Sequence, residues 1–368
     1  MRLYLHAGTN KTGSSFLQTV LTQNRTQLLQ QGVLVPASKW DERMTEGLIS
    51  PGNGHQLAWL LSTEDAQKTK LYLSQLVQQA RQRNVNKVIL SNEILVRLFS
   101  NKNILEILTQ SAHDAGFDTI HCLCLLRNPY EHALSLYKHR AKSGKWGNYE
   151  EWLEKNYETL RLFKPFLSCY DQFSIDWQFR LYRKDSDYLL NILFSDYLEV
   201  RKMDYTDIKK VNTSLSLNQI RILNFFETMY PGIHRYMFES LSSVSNSNYN
   251  IENEQHLKTI FYQAFKQYKQ RYERVVQHLA TLLPESDVSS FMHQPDFNSC
   301  TVEPYLTMSN EEEGGVVQAV EKYKKKKIRR SVKKIFHKIR RLPLRFQDAH
   351  PFDSERYGGS LRRLHNNG

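Results

Sequence analysis

Cysteine is scarce: four residues in a chain of 368 cannot make a disulfide framework. Cys122 and Cys124 lie two apart in an apolar run and so share one face of a strand, while Cys169 and Cys300 stand alone. No pair has zinc-ligand spacing, which leaves core thiols as the expected role. Long hydrophobic runs are missing too. No window approaches the roughly eighteen uncharged apolar residues of a spanning helix. The opening residues Met1-Arg2-Leu3-Tyr4-Leu5-His6 reach Gly8 with no room for a signal-peptide apolar stretch. A cytoplasmic location is expected.

Most of the chain also lacks net charge. Residues 322–345, KYKKKKIRRSVKKIFHKIRRLPLR, hold thirteen Lys and Arg and no acid, so the formal +12 of the whole leaves −1 for everything else. An anionic macromolecular partner is therefore a matter for that segment. What the chain does have is apolar material. Forty per cent of residues are hydrophobic and 12% aromatic, enough for a packed core and too much for a disordered chain.

Arg2 to Ala7 is short and apolar-rich, and Gly8-Thr9-Asn10-Lys11-Thr12-Gly13-Ser14-Ser15 follows at once. Phe16, Leu17, Val20, Leu21, Leu28 and Leu29 then recur at helical spacing until Gly32. This reads as strand, glycine-bearing loop, helix. Val33-Leu34-Val35 is a further short run, and 66–83 an amphipathic helix. Lys87 to Leu90 is a buried strand ending in Ser91-Asn92-Glu93; 102–113 is helical, and Thr119 to Leu126 suits a central parallel strand. Strands alternating with helices imply right-handed crossovers. The expected class is α/β: a P-loop-like three-layer α/β/α fold with a central parallel sheet and a helix-rich C-terminal half. Helical patterns fill 129–142, 149–163, 186–198, 216–229 and 254–283. Periodicity fades from about 284, which divides the chain into a main domain (1–295), a linker (296–321), a basic helix (322–345) and a flexible tail (346–368).

A loop leaving a strand's carboxyl end and opening a helix is a natural anion site, because backbone N–H groups and the helix N-terminus converge there. Gly8 and Gly13 permit the tight backbone, and Ser14 and Ser15 can donate hydroxyls. The spacing Gly8-x4-Gly13 half-matches a nucleotide-triphosphate loop, but Ser14 stands where that motif needs Lys; the cation is Lys11, inside the loop. After the Thr119–Leu126 run comes Arg127-Asn128-Pro129, with Pro129 suited to a first helical turn and Ser135 about two turns on. An Arg fork with a hydroxyl suits a phosphate monoester.

Together, Lys11-Thr12-Gly13-Ser14-Ser15 and Arg127-Asn128-Pro129-x5-Ser135, a little over a hundred residues apart, resemble the sulfotransferases that use 3′-phosphoadenosine 5′-phosphosulfate. In that family a Lys-Thr-Gly-Thr-Thr-like loop holds the 5′-phosphosulfate, and an Arg-Asn-Pro segment with a later Ser holds the 3′-phosphate. Val211-Asn212-Thr213-Ser214-Leu215-Ser216 is similar to a further stretch of bacterial members. The likeness covers roughly residues 2–290 in layout, and only the two cofactor motifs are specific. The family's usual Pro before the loop Lys is here Asn10, the frequent Trp after the hydroxyl pair is Phe16, and no Arg-Lys-Gly segment occurs. The resemblance thus implies a bacterial, carbohydrate-type enzyme rather than the animal small-phenol subclass. It implies that Gly8, Asn10, Lys11, Thr12, Gly13, Ser14, Ser15, Arg127 and Ser135 bind the phosphosulfate, that Lys11 is catalytic, and that no metal is needed.

Family members use Glu or His as the base, and this chain offers both. Glu93 follows a strand, at the sheet edge where open parallel folds bind ligands. His55 stands in Gly52-Asn53-Gly54-His55 ahead of a short helical pattern. His6 and His132 flank the motifs and are expected to be structural. Two rival functions stay open: an ATP-dependent small-molecule kinase, against which the missing Lys at position 14 counts, and a non-catalytic, membrane-associated nucleotide-binding protein.

In the basic segment, Ile328, Val332, Ile335, Phe336, Ile339 and Leu342 fall within an arc of about 120° on a helix. Such a stripe under a polybasic face suits a helix lying on an anionic membrane surface. Nucleic acid is disfavoured as the partner, because stacking aromatics are limited to Tyr323 and Phe336.

Overall fold

Short apolar runs bounded by glycine or polar residues form the strands, and longer periodic stretches form the helices, in the computed structural model. It describes residues 1–48, 50–141, 148–201, 203, 215–243, 251–294 and 308–323. In chain order come β1 (Arg2–Gly8), α1 (Ser14–Gln23), α2 (Arg25–Gln30), β2 (Val33–Leu34), α3 (Asp41–Thr45), α4 (His55–Ser62), α5 (Ala66–Gln82), β3 (Lys87–Ser91), α6 (Leu95–Leu98), α7 (Lys102–Ala115) and β4 (Thr119–Leu126). Then follow α8 (Pro129–Ala141), α9 (Tyr149–Asn156), α10 (Thr159–Leu167), β5 (Ile175–Leu181), α11 (Ser186–Leu190) with a π-helical continuation over Asn191–Tyr197, α12 (Leu217–Met229), α13 (His234–Ser242), α14 (Ile251–Gln270), α15 (Glu273–Thr281), α16 (Glu285–Met292) and α17 (Asn310–Tyr323).

The five strands pair in parallel in the order β2-β3-β1-β4-β5, with helices around the sheet. This is the three-layer α/β/α arrangement. Chain direction along the sheet reverses between β1 and β4, and in open parallel sheets such a switch leaves a crevice at the strands' carboxyl ends. Side chains alternate across the sheet. Tyr4, Ile89, Leu123 and Leu125 point to the face covered by Leu17, Val20 and Leu21 of α1 and by Leu193 and Phe194 of the π-helical stretch. Each such side chain contributes about 1.5–3 kcal/mol of apolar burial before entropy is counted. By the same alternation and register, His6 of β1 and Ser91 of β3 lie on that α1-facing side.

The chain divides into two units interleaved in sequence. One comprises Met1–Leu136, Lys155–Asn212 and Lys266–Gln294; the other comprises Tyr137–Glu154, Thr213–Phe265 and Pro295–Gly368. Residues 1–295, expected as one main domain, therefore contribute to both. The first unit holds the sheet. The second is built on α12, α13 and α17, with an aromatic cluster of Tyr137, Tyr149, Trp152 and Phe261. Its helix α12 begins with a reciprocal cap between Ser216 and Gln219.

Three elements depart from the sequence expectation. The span between the helical patterns 149–163 and 186–198, to which the sequence pattern assigns no element, contains strand β5; Ile175, Trp177, Phe179 and Leu181 alternate with Asp176, Gln178 and Arg180, the period of a half-exposed edge strand. The long pattern over 254–283 is two helices, because the chain tightens at Arg271-Tyr272, where Tyr272 N–H bonds Lys269 O at 2.8 Å. The expected linker 296–321 contains most of α17, whose Val316, Ala319 and Val320 are buried. A reciprocal cap starts that helix: Glu312 N–H donates to Ser309 Oγ at 3.1 Å, and Ser309 N–H to the Glu312 carboxylate at 3.0 Å. Residues 211–214 and 324–368, including the basic segment beyond Tyr323, lie outside the described residues, as does Cys300. Cys122, Cys124 and Cys169 are buried free thiols, and burial pushes Cys124 up to about 12. Among the described residues, no helix is long and apolar enough to cross a membrane.

Candidate functional site

The loop between β1 and α1 is built by backbone constraints that few residues meet. Lys11 sits at φ 68° and Gly13 at φ 82°, both left-handed. For lysine this is a strained choice, of the sort that surrounding structure must enforce. A side chain on Gly13 is excluded twice over, by its φ and because a Cβ would stand 2.9 Å from Tyr182 Cε2. A Cβ on Gly8 would stand 2.7 Å from Thr12 Oγ1. Thr12 is fully buried, and its hydroxyl donates to Thr9 O at 2.6 Å, closing the loop on itself.

Helix α1 then starts without a side-chain cap and with no acidic residue in its first turn. Its leading N–H groups keep their positive end free of a carboxylate. Ser14 Oγ, in that first turn, is buried with no hydrogen-bond partner, whereas Ser15 and Asn10 are exposed. An enclosed, unsatisfied hydroxyl at a bare helix N-terminus is what an oxyanion would complete.

The Arg127 segment braces this loop. At the carboxyl end of β4, Arg127 donates from Nη1 to Lys11 O at 3.1 Å and shares the Glu131 carboxylate at 3.4 Å. Its guanidinium lies 5.3 Å from the centre of the Tyr182 ring. Asn128 accepts from the N–H groups of Tyr130 and Glu131, both at 3.1 Å, so it caps α8, with Pro129 as the first helical residue. Its amide also donates to Phe291 O and His293 O at 2.9 Å, which pins α8 to the end of α16. His132 Nε2 meets Asn10 O at 2.7 Å, and its Nδ1 meets the Tyr157 hydroxyl at 3.1 Å. A carbonyl only accepts, so Nε2 carries the proton. Burial holds this imidazole down to about 4. It is a neutral brace, the structural role expected. Ser135, partly exposed, lies one turn beyond Glu131 and on the same side of α8.

The candidate bases lie at the end of β3. The Glu93 carboxylate accepts from Gln18 Nε2 at 3.3 Å, and Gln18 Oε1 in turn accepts from the Ser50 hydroxyl at 3.1 Å. Gln18 belongs to α1, one turn into the helix that the loop opens, so Glu93 is tethered to the same element. His55 is the first residue of α4, edge-on to the Trp40 ring with centroids 6.2 Å apart. The turn before it is stitched to β3: Gly54 N–H reaches Ser91 O at 3.0 Å, and Asn53 bonds Ile89 O and Ser91 N–H at 2.9 and 2.8 Å. A Cβ on Gly52, at φ 76°, would lie 2.1 Å from Ser91 O, so only glycine fits there.

No protein-family model, curated protein or solved structure matches this chain. The site therefore stands on its own geometry. The loop, Arg127 and Glu93 gather at the carboxyl ends of β1, β4 and β3, inside the first unit. Among the described residues, no three His, Cys, Asp or Glu side chains cluster as metal ligands. Tyr182 is the participant that sequence reasoning missed. It follows β5, its N–H bonds Leu126 O at 2.6 Å, and its ring lies beside Gly13 and Arg127. Reading the alternation of 175–181 as a strand would have brought it to the crevice.

Proposed function

We propose that this protein is a sulfotransferase that moves a sulfuryl group from 3′-phosphoadenosine 5′-phosphosulfate to a hydroxyl of a carbohydrate. The observation that carries the reading is the buried, unpartnered Ser14 hydroxyl at the uncapped start of α1, in a loop whose Lys11 carbonyl is gripped by Arg127. When bound, the phosphosulfate supplies an activated sulfuryl group. The loop N–H groups, with Ser14 and Ser15, hold its 5′ end, and Arg127 and Ser135 its 3′-phosphate. Lys11 neutralises charge gathering on the oxygen that bridges phosphorus and sulfur. Glu93 takes the proton of the acceptor hydroxyl as the new S–O bond forms and the old one breaks. The remaining product is adenosine 3′,5′-bisphosphate.

Calorimetry tests the donor. Adenosine 3′,5′-bisphosphate should bind far more tightly than 5′-AMP, and ATP binding as tight as the bisphosphate would instead favour a kinase. Arg127→Ala also releases the loop, so Ser135→Ala is the cleaner probe of the 3′ side. It should cost about 1.5–3 kcal/mol for the bisphosphate and leave 5′-AMP affinity alone. Equal affinities of the unmodified protein for bisphosphate and 5′-AMP would sink the assignment.

The same reading places the enzyme at the inner face of a cell membrane, where envelope glycans are assembled, held by the basic segment 322–345. Because α17 runs to Tyr323, whose hydroxyl donates to Pro231 O at 2.9 Å, the informative truncation ends at residue 323. The full chain should float with anionic vesicles, less so in raised salt, and the truncated chain should stay behind. Flotation of both, or displacement of the full chain by nucleic acid alone, removes the membrane from the proposal.

A further inference from the structure

The side chain of His6 reaches no solvent. It lies two residues before the end of β1 on the face toward α1, opposite Ser91 of β3, and its Nδ1 lies 2.8 Å from Ser91 Oγ. The second ring nitrogen, Nε2, is enclosed and has no hydrogen-bond partner. Ser14 Oγ is in the same condition. These two unsatisfied atoms face one place: each lies 3.7 Å from the point where a Cβ of Gly8 would stand. Thr12 Oγ1 borders the same point more closely, at 2.7 Å, with its proton given to Thr9 O, so of the three polar groups around Gly8 two are left unsatisfied.

Buried polar groups are almost always paired, and an unpaired one in a native fold calls for a ligand or water. Here two stand together, at the bare N-terminus of a helix. We infer that His6 is an anion-binding residue of this loop, its Nε2–H donating, together with the Ser14 hydroxyl, to a phosphate-type oxygen seated against Gly8. With the proton on Nε2, Nδ1 accepts from the Ser91 hydroxyl 2.8 Å away. Burial keeps the ring uncharged at neutral pH, with its pKa pulled down to about 4. The imidazole therefore adds a rigid donor to the loop without adding a positive charge that would have to be desolvated. The identity of the anion, the 5′ end of a phosphosulfate, rests on the function proposed above; the donor role of His6 does not.

Two substitutions separate the ring nitrogens. His6→Asn keeps an amide where Nδ1 meets Ser91 and deletes the Nε2 donor, whereas His6→Gln carries an amide N–H outward to the position of Nε2. Titration of the full chain with adenosine 3′,5′-bisphosphate, and separately with inorganic phosphate, should show His6→Asn binding weakened roughly 10- to 100-fold, the range for a hydrogen bond to a charged group. His6→Gln should recover most of the loss, at matched thermal stability. In histidine labelled with nitrogen-15, the His6 signals should report a neutral Nε2–H ring whose Nε2 resonance moves on saturation. An unmoved resonance, wild-type affinity in His6→Asn, or equal losses in the two variants would overturn the inference and leave the ring a packing element. Failure of the unmodified protein to prefer the bisphosphate over inorganic phosphate would instead overturn the sulfotransferase reading and leave the phosphate comparison to decide on His6.

Discussion

Lys11→Ala is expected to lower the turnover number roughly 10²–10³-fold, the usual cost of losing one donor aimed at developing charge, while changing affinity for adenosine 3′,5′-bisphosphate only a few-fold. The backbone makes this a clean test. Lys11 holds φ 68°, and alanine meets the same left-handed strain as lysine, so the substitution removes the ammonium without relaxing the loop. The brace from Arg127 goes to the Lys11 carbonyl and survives truncation of the side chain. What is lost is a cation whose contact strengthens as the bridging oxygen gains charge, and such an interaction acts on turnover rather than on ground-state binding. Single-turnover transfer to a panel of sugar acceptors, beside calorimetry with the bisphosphate, gives both numbers. Equal losses in the two would make Lys11 a simple binding residue and remove it from the chemistry.

The loop itself was legible in the sequence, because a strand, two glycines at fixed spacing and a helical apolar period leave little choice of local structure. The runs that became β1, β3 and β4 were equally plain, being largely buried on both faces and mostly apolar. β5 was not, since an edge strand needs an apolar residue only at every second position, and Asp176, Gln178 and Arg180 hide the rest. Tyr182 was lost with it. The supports were illegible for another reason. His132 holds Asn10 from 122 positions away, and Gln18 reaches Glu93 across 75, so no local pattern announces either. The left-handed turn at Lys11 also opposes lysine's own preference and exists because Arg127 and Thr12 tie the loop on both sides. In the second unit, Gly314-Gly315 masked α17, although the Ser309-x-x-Glu312 cap was present to be read.

Glu93→Gln is expected to slow sulfuryl transfer by about 10²–10⁴-fold, the contribution of a positioned general base, with bisphosphate affinity unchanged. The carboxylate is oriented by the Gln18 amide at 3.3 Å, and Gln18 by the Ser50 hydroxyl at 3.1 Å. A glutamine at 93 still presents an oxygen to that amide, so the side chain keeps its place and size and loses only the ability to take a proton. Gln18→Ala tests the tether from the other side. It leaves the base intact but free to rotate, and should lower turnover less than Glu93→Gln does, because misorientation costs part of the proton-transfer advantage rather than all of it. The order of the two effects is therefore diagnostic. If Glu93→Gln turns over near normally while His55→Ala does not, the base is the histidine at the start of α4, and the Gln18–Glu93 pair serves only to fasten α1 to the end of β3.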